Sequence, residues 1–109
     1  MIRVYVAGPM SKGRMEQNVR AGIDAANQLA QLGFAPYLPH LTHFWGIVYP
    51  HDWEFWLALD EAWLQQCHAL LRLPGASKGA ERETTVAKMR GIPVFKSIAT
   101  LRRHFDGRN

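Results

Sequence analysis

Hydrophobic and polar positions along this chain alternate between two kinds of pattern. Ile2 to Ala7 is a short, nearly continuous apolar run closed by Gly8-Pro9, which predicts a buried parallel strand followed by a turn. From Met15 to Leu32 the residues Val19, Ile23, Ala26, Leu29 and Ala30 recur at helical spacing, and Gly33 stands just past the end as a C-cap. Phe34 to Leu38 reads as a second strand, which closes a right-handed βαβ unit. His40 to His51 is aromatic, with Phe44, Trp45 and Tyr49, and reads as irregular. Asp52 then has the character of an N-cap for a helix in which Trp53, Trp56, Leu57, Trp63 and Leu64 form one apolar face, read as core. Ala69 to Leu73 is a third strand, and Gly75 to Gly79 is a turn leading into a helix that ends near Arg90 with Gly91 as its C-cap. Ile92 to Phe95 is a fourth strand, and Ser97 begins a last helix.

Strands alternating with helices predict a flavodoxin- or Rossmann-like α/β/α architecture, with a parallel sheet of four to five strands in the order 2-1-3-4. In such sheets a ligand binds beyond the carboxyl ends of the strands, where the order reverses. Here that point lies between strands one and three. The loops Gly8 to Gly13 and Gly75 to Gly79 follow those two strands, so they are expected to face each other across one cleft.

Composition narrows the class. With 109 residues, 48% of them apolar and 20% charged, the chain is expected to fold as one domain over residues 1–109. Cys67 stands alone, so no disulfide framework or zinc motif is expected and a cytoplasmic setting is. Neither a signal peptide nor a bilayer-spanning run is visible. Thirteen Lys plus Arg against nine Asp plus Glu give +4, with Arg90, Arg102, Arg103 and Arg108 toward the C-terminus. That excess suits an anionic ligand. Without a basic stripe interleaved with aromatics, duplex nucleic acid is not an expected partner.

The candidate chemistry centres on Gly75 to Glu83. Ser77 is placed to cap the helix, whose N-terminus favours an anion. Helical side chains lean toward the N-terminus, so Glu83 should project over Gly79, while Glu81 points elsewhere. Asp60 falls in the middle of the tryptophan-rich face, where a carboxylate is costly unless it is paired or lines a cavity. A structural ion pair and a functional site both remain open for it. Tyr5, near the end of strand one, either reaches the cleft or serves a core hydrogen bond. Gly8 to Met15 has P-loop-like glycine spacing, but Arg14-Met15 stands where Lys-Ser/Thr grips phosphate and magnesium, which excludes an NTPase. His40, His43 and His51 match no metal-binding spacing and read as surface or stacking residues, so neither metal nor cofactor is expected. Trp45, at the loop edge, is suited to cover a flat heteroaromatic ligand.

Four segments carry a family resemblance: Tyr5-Val6-Ala7-Gly8-Pro9-Met10; Pro39-His40-Leu41-Thr42-His43-Phe44; Asp60 with Trp63-Leu64; and Ser77-x-Gly79-x-x-x-Glu83-x-x-x-Ala87-x-x-x-Gly91. With them the chain resembles the nucleoside 2-deoxyribosyltransferase-like superfamily, in particular a short branch related to nucleoside 5′-monophosphate N-glycosidases. The resemblance implies cleavage of an N-glycosidic bond, by hydrolysis or deoxyribosyl transfer, through a glycosyl-Glu83 intermediate. It implies that Asp60 protonates the departing base and Tyr5 aligns Glu83. Gly8, Pro9, Met10, His43, Ser77 and Gly79 become the expected substrate-binding residues. Nucleoside transferases of the family tend to carry Asp where this chain has Ser77, so a 5′-monophosphate is the implied substrate, with Lys12, Arg14 and Lys78 adding positive charge. There are two departures. His68 stands where many relatives have Asp, and Pro9-Met10-Ser11 lacks the serine and arginine pattern of the monophosphate branch. Relatives are oligomers, which implies at least a homodimer. The competing reading is a nucleotide-binding or sensing module without turnover, and a third is a structural partner that uses the aromatic loop as an interface.

Overall fold

The computed structural model describes residues 1–106; Arg108 of the basic cluster lies outside the described residues. Among those described, four parallel strands, β1 (Arg3–Ala7), β2 (Ala35–Tyr37), β3 (Ala69–Arg72) and β4 (Val94–Phe95), form one sheet in the order β2-β1-β3-β4. Each successive pair is joined through helix: α1 (Met15–Gln31), then α2 (Thr42–Val48) and α3 (Trp53–Leu64), then α4 (Lys78–Met89), with α5 (Ile98–Phe105) last. The helices cover both faces of the sheet, giving the expected three-layer arrangement, and the order reverses between β1 and β3. Val4, Tyr5, Val6 and Ala7 are consequently all buried, as a central parallel strand requires.

Alternation along the strands divides the core in two. Val4, Val6, Ala69 and Leu71 point toward α1 and α5, packing with Ala25, Leu29, Leu101 and Phe105. Tyr5, Ala7 and Leu70 point the other way, toward Leu64 of α3 and Ala80 and Ala87 of α4. Tyr5 is the register partner of Tyr37 on β2 and of Leu70 on β3. Helix starts follow the expected caps: Asp52 accepts from the Phe55 N–H at 2.9 Å, Ser77 from Ala80 at 3.1 Å and Ser97 from Thr100 at 3.1 Å. Each such cap contributes about 1 kcal/mol. Gly33 and Gly91, just past the ends of α1 and α4, have φ of +92° and +72°.

Three expectations need correction. The buried stripe of α1 is Gly22, Ala25 and Leu29, whereas Ile23 is 44% exposed. A Cβ on Gly22 would lie 2.8 Å from Leu38 Cδ1, so the closest approach of α1 uses a residue that an apolar count overlooks. His40 to His51 is not irregular: Pro39–Leu41 is a 3-10 turn that leads directly into α2. Seven residues with none buried leave no periodicity to read. The tryptophan face of α3 is not core, since Trp53 and Trp63 are 58% and 51% exposed and Leu64 is the buried residue of the helix. Strand and helix ends otherwise differ from the sequence reading by one or two residues. Among the described residues, no helix is long and apolar enough to cross a membrane.

Candidate active site

Glu83 occupies a core position. Ala80, Glu83 and Ala87 make the buried stripe of α4, and Glu83 is 8% exposed. A carboxylate there needs a donor, and the Tyr5 hydroxyl, rising from the opposite side of the interface, donates to Glu83 Oε2. Such a bond to an ionised group contributes about 1.5–3 kcal/mol. Burial nevertheless dominates and pushes the Glu83 carboxyl up to about 7, against the Tyr5 hydrogen bond, which lowers it. The nearby Asp60 charge raises it further, and Arg72 acts in the opposite sense. Burial first, and the Glu83 charge second, hold the Tyr5 phenol far above its ordinary range, so it remains a donor.

Asp60 lies midway along the outer wall on α3. Burial raises its carboxyl to about 6, while the hydrogen bond from Tyr37 lowers it. The Tyr37 hydroxyl donates to Asp60 Oδ1 at 3.4 Å, a loose contact. The Tyr37 ring stacks on Trp63, with centroids 5.6 Å apart and planes 20° apart, and lies 5.5 Å from the Tyr5 ring. No ion pair neutralises Asp60 among those of the described residues; the bridge on this helix is Glu61 to Arg82 at 3.0 Å, which ties α3 to α4. Arg82 also lies over the Trp53 ring, 5.9 Å from its centroid.

Both carboxyls line one cavity of about 640 Å³ at the carboxyl ends of β1 and β3, a volume suited to a small-molecule ligand. Its lining is of two kinds. Ser11, Lys12, Ser77, Lys78 and Gly79 bring hydroxyls, ammonium groups and the start of α4, whereas Ile47, Trp53, Trp56 and Leu57 bring an apolar and aromatic wall. Gly8, Met10, His43, Ser77 and Gly79 all line this cavity. A Cβ on Gly79 would meet nothing closer than Ser77 Oγ at 4.0 Å, so the space before Glu83 is open.

Two expected site residues are not on the cavity wall. Tyr5 is fully buried beneath it and is joined to it by its hydrogen bond to Glu83. Pro9 supports the two loops: a Cβ on Gly75 would fall 2.7 Å from the Pro9 ring, and Gly75 has φ of +113°, so the loops meet where a side chain has no room. The Asn18 amide donates to the carbonyls of Met10 and Lys12 at 3.0 and 2.7 Å, fixing the first loop. Arg72 braces the second through the Leu73 and Gly75 carbonyls, the latter at 2.8 Å. His68 is remote from this cavity, with Nδ1 accepting the Arg3 N–H at the start of the sheet.

A family model described as a domain of unknown function, DUF4406, matches residues 2–96. The chain belongs to the DUF4406 family. No curated protein matches it. Among solved structures, it is similar to a 2-deoxyribosyltransferase from the psychrotolerant bacterium Bacillus psychrosaccharolyticus, at 17% identity and a TM-score of 0.66, over 88% of this chain and 75% of that one. The DUF4406 chain therefore has the nucleoside 2-deoxyribosyltransferase-like fold.

Two residues of this DUF4406 chain make contacts at the site that the sequence pattern does not indicate. For Tyr37 the visible signal is a tyrosine at the end of the strand beside Tyr5. His40, expected at the surface or in a stack, is instead buried, and its Nε2 bonds the Pro9 carbonyl at 2.8 Å. A carbonyl only accepts, so Nε2 carries the proton; Nδ1 is then a buried acceptor with no partner among the described residues. Burial lowers the His40 pKa and keeps the ring neutral. His51 stacks on Phe55 at 3.7 Å, and His43 reaches the cavity. Among the described residues no group of three or more His, Cys, Asp or Glu side chains could hold a metal ion.

Proposed function

We propose that this protein cleaves the N-glycosidic bond of a nucleoside or nucleoside 5′-monophosphate, by hydrolysis or by transfer of the sugar to a second base. The observation that carries this reading is the convergence of two carboxyls with raised proton affinity, Glu83 and Asp60, on one cavity with an open space before Glu83. Paired carboxyls whose environments differ are the machinery of retaining glycosidic chemistry.

In the first step a Glu83 carboxylate oxygen bonds to C1′ as the C1′–N bond breaks. The bonding pair leaves with the base, which takes a proton from Asp60. In the second, the Asp60 carboxylate takes a proton from water or from an incoming base, whose nucleophilic atom bonds to C1′ and frees Glu83. Tyr5 holds the Glu83 oxygen in line throughout. The reactive form has Glu83 ionised and Asp60 protonated, so the pair must hold a single proton. With Asp60 near about 6 and Glu83 near about 7, the single proton favours Glu83, so the reactive arrangement is the minority form of the singly protonated pair, and that pair is most populated between those values. The rate should therefore peak there and fall on both sides.

The polar part of the lining favours a 5′-monophosphate. The Lys78 and Gly79 N–H groups start α4 without intrahelical acceptors, and Lys12 and Lys78 add positive charge. The aromatic wall provides a surface for a base. Exposed Phe44, Ile47, Val48 and Tyr49 on and just after α2 fit an assembly of at least two copies, the expectation carried by the family resemblance.

The test is incubation with a panel of nucleosides and their 5′-monophosphates, with and without a second free base, followed by chromatography of released bases. The expected result is base release that Glu83→Ala reduces by at least about ten-thousandfold. Equal release by the variant removes the assignment. Stoichiometric binding of an intact nucleotide with no product replaces the enzyme with a binding module.

A further inference from the structure

We propose that Tyr37 is the positioning residue of Asp60, so that two adjacent tyrosines on neighbouring strands each hold one of the two carboxyls. Tyr5 and Tyr37 are direct partners on β1 and β2, so their side chains leave the same face of the sheet at the same level. Their rings lie 5.5 Å apart, and their hydroxyls diverge to different helices: Tyr5 to Glu83 on α4, Tyr37 to Asp60 on α3.

Tyr37 is fixed from its other side by Trp63, which leaves it little freedom to swing away. A carboxyl on a partly exposed helix has several rotamers available. A donor anchored in the sheet selects the one directed over the cavity floor, and a contact of 3.4 Å can shorten when a substrate closes the site. The phenol donates best to a carboxylate, the form Asp60 acquires when it gives its proton to the departing base. Tyr37 therefore strengthens as the first step proceeds.

The groups that face this pair are few. Tyr5 and Glu83 interact electrostatically with both members, Cys67 with Tyr37, and His40, His43, Lys12 and Lys78 share the cavity with Asp60. Only Tyr37 is hydrogen-bonded to Asp60 among the described residues, and that bond lowers its proton affinity.

The role in catalysis rests on the glycosidic reading, but the titration does not, so the test separates the two. Protein labelled with 13C at the Asp and Glu carboxyls is titrated by NMR as wild type, Tyr37→Phe and Tyr5→Phe, with base release measured across pH. Tyr37→Phe should raise the Asp60 midpoint and leave Glu83 nearly unchanged, and Tyr5→Phe should do the reverse. Base release should fall about tenfold in Tyr37→Phe, with the acid limb of its pH profile, which follows the lower midpoint of Asp60, moved up and KM nearly constant. Site-specific 3-fluorotyrosine at position 37, a stronger donor of the same shape, should lower the Asp60 midpoint, and it serves as the second variant if phenylalanine perturbs folding. An unchanged Asp60 midpoint in both variants, or an equal shift at Glu83, overturns the assignment. The expected shifts without base release from any substrate support the Tyr37–Asp60 pairing and remove the glycosidic reading.

Discussion

The two walls of the cavity are built on different principles. The Glu83 wall is continuous with the sheet: α4 packs on Ala7 and Leu70, its carboxylate is bonded to a strand tyrosine, and both neighbouring loops are braced by side chains bonded to their carbonyls. The Asp60 wall is carried on α2 and α3 and held largely by rings, with Trp45, His51, Phe55 and Trp56 meeting edge to face or stacked while Trp53 and Trp63 remain about half exposed. The difference separates two requirements. Under the proposed function, the sheet-anchored wall suits a nucleophile that must approach C1′ along a fixed line, and the aromatic wall suits a proton donor that must meet bases of different shape.

Asp60→Asn would test that division most severely. The amide cannot protonate a leaving base, so release should fall by about a thousandfold, and a substrate with an activated leaving group should recover most of the loss. A similar loss on both substrates would show that Asp60 acts on binding rather than proton transfer.

Glu83→Gln addresses the other wall through stability. The folded carboxyl, at about 7, lies above its ordinary 4.5, so the folded state holds the proton more tightly. The contribution is present in full below about 4.5 and is lost as pH rises through about 7. The neutral amide keeps an acceptor for Tyr5 and escapes this loss. Urea unfolding should find Glu83→Gln more stable than wild type at pH 8, by up to about 3 kcal/mol, and the two nearly equal at pH 4. A difference that does not change with pH would contradict the burial argument.

Trp56→Ala should give the smallest effect. It removes a flat surface from the aromatic wall and leaves both carboxyls in place, so KM should rise about tenfold with kcat little changed. A large fall in kcat with constant KM would mean that the aromatic wall sets the geometry of the chemistry, and the contrast between the walls would collapse.

Much of the fold was legible because its signals are local. Ser77, Asp52 and Ser97 cap helices by bonds to residues three positions on, and Gly33 and Gly91 end helices by their own backbone conformation. Asp60 stands out as a carboxyl in the middle of an apolar helix face, and Glu83 as one that leans over Gly79 beside an anion-binding turn; that Glu83 is also buried is a finding of the structure. What escaped reading depends on contacts between distant segments. Tyr37 gains its position from pairing with β1 and its partner from α3, and His40 is buried because Gly22 of α1 leaves room beside it. The exposure of the tryptophans was hidden because a stripe of large rings has the same spacing whether it faces a sheet or a ligand.

The core position of Glu83 has a consequence for directed evolution. In a library of this protein selected for heat resistance alone, the double change Tyr5→Phe with Glu83→Leu should be among the enriched combinations, because replacing both members of a buried polar pair avoids leaving either unsatisfied. Either change alone strands one polar group in the core. Thermal selection would then tend to erase the proposed nucleophile in a coupled step, so a stabilised variant of this chain needs an activity screen run beside the melting screen.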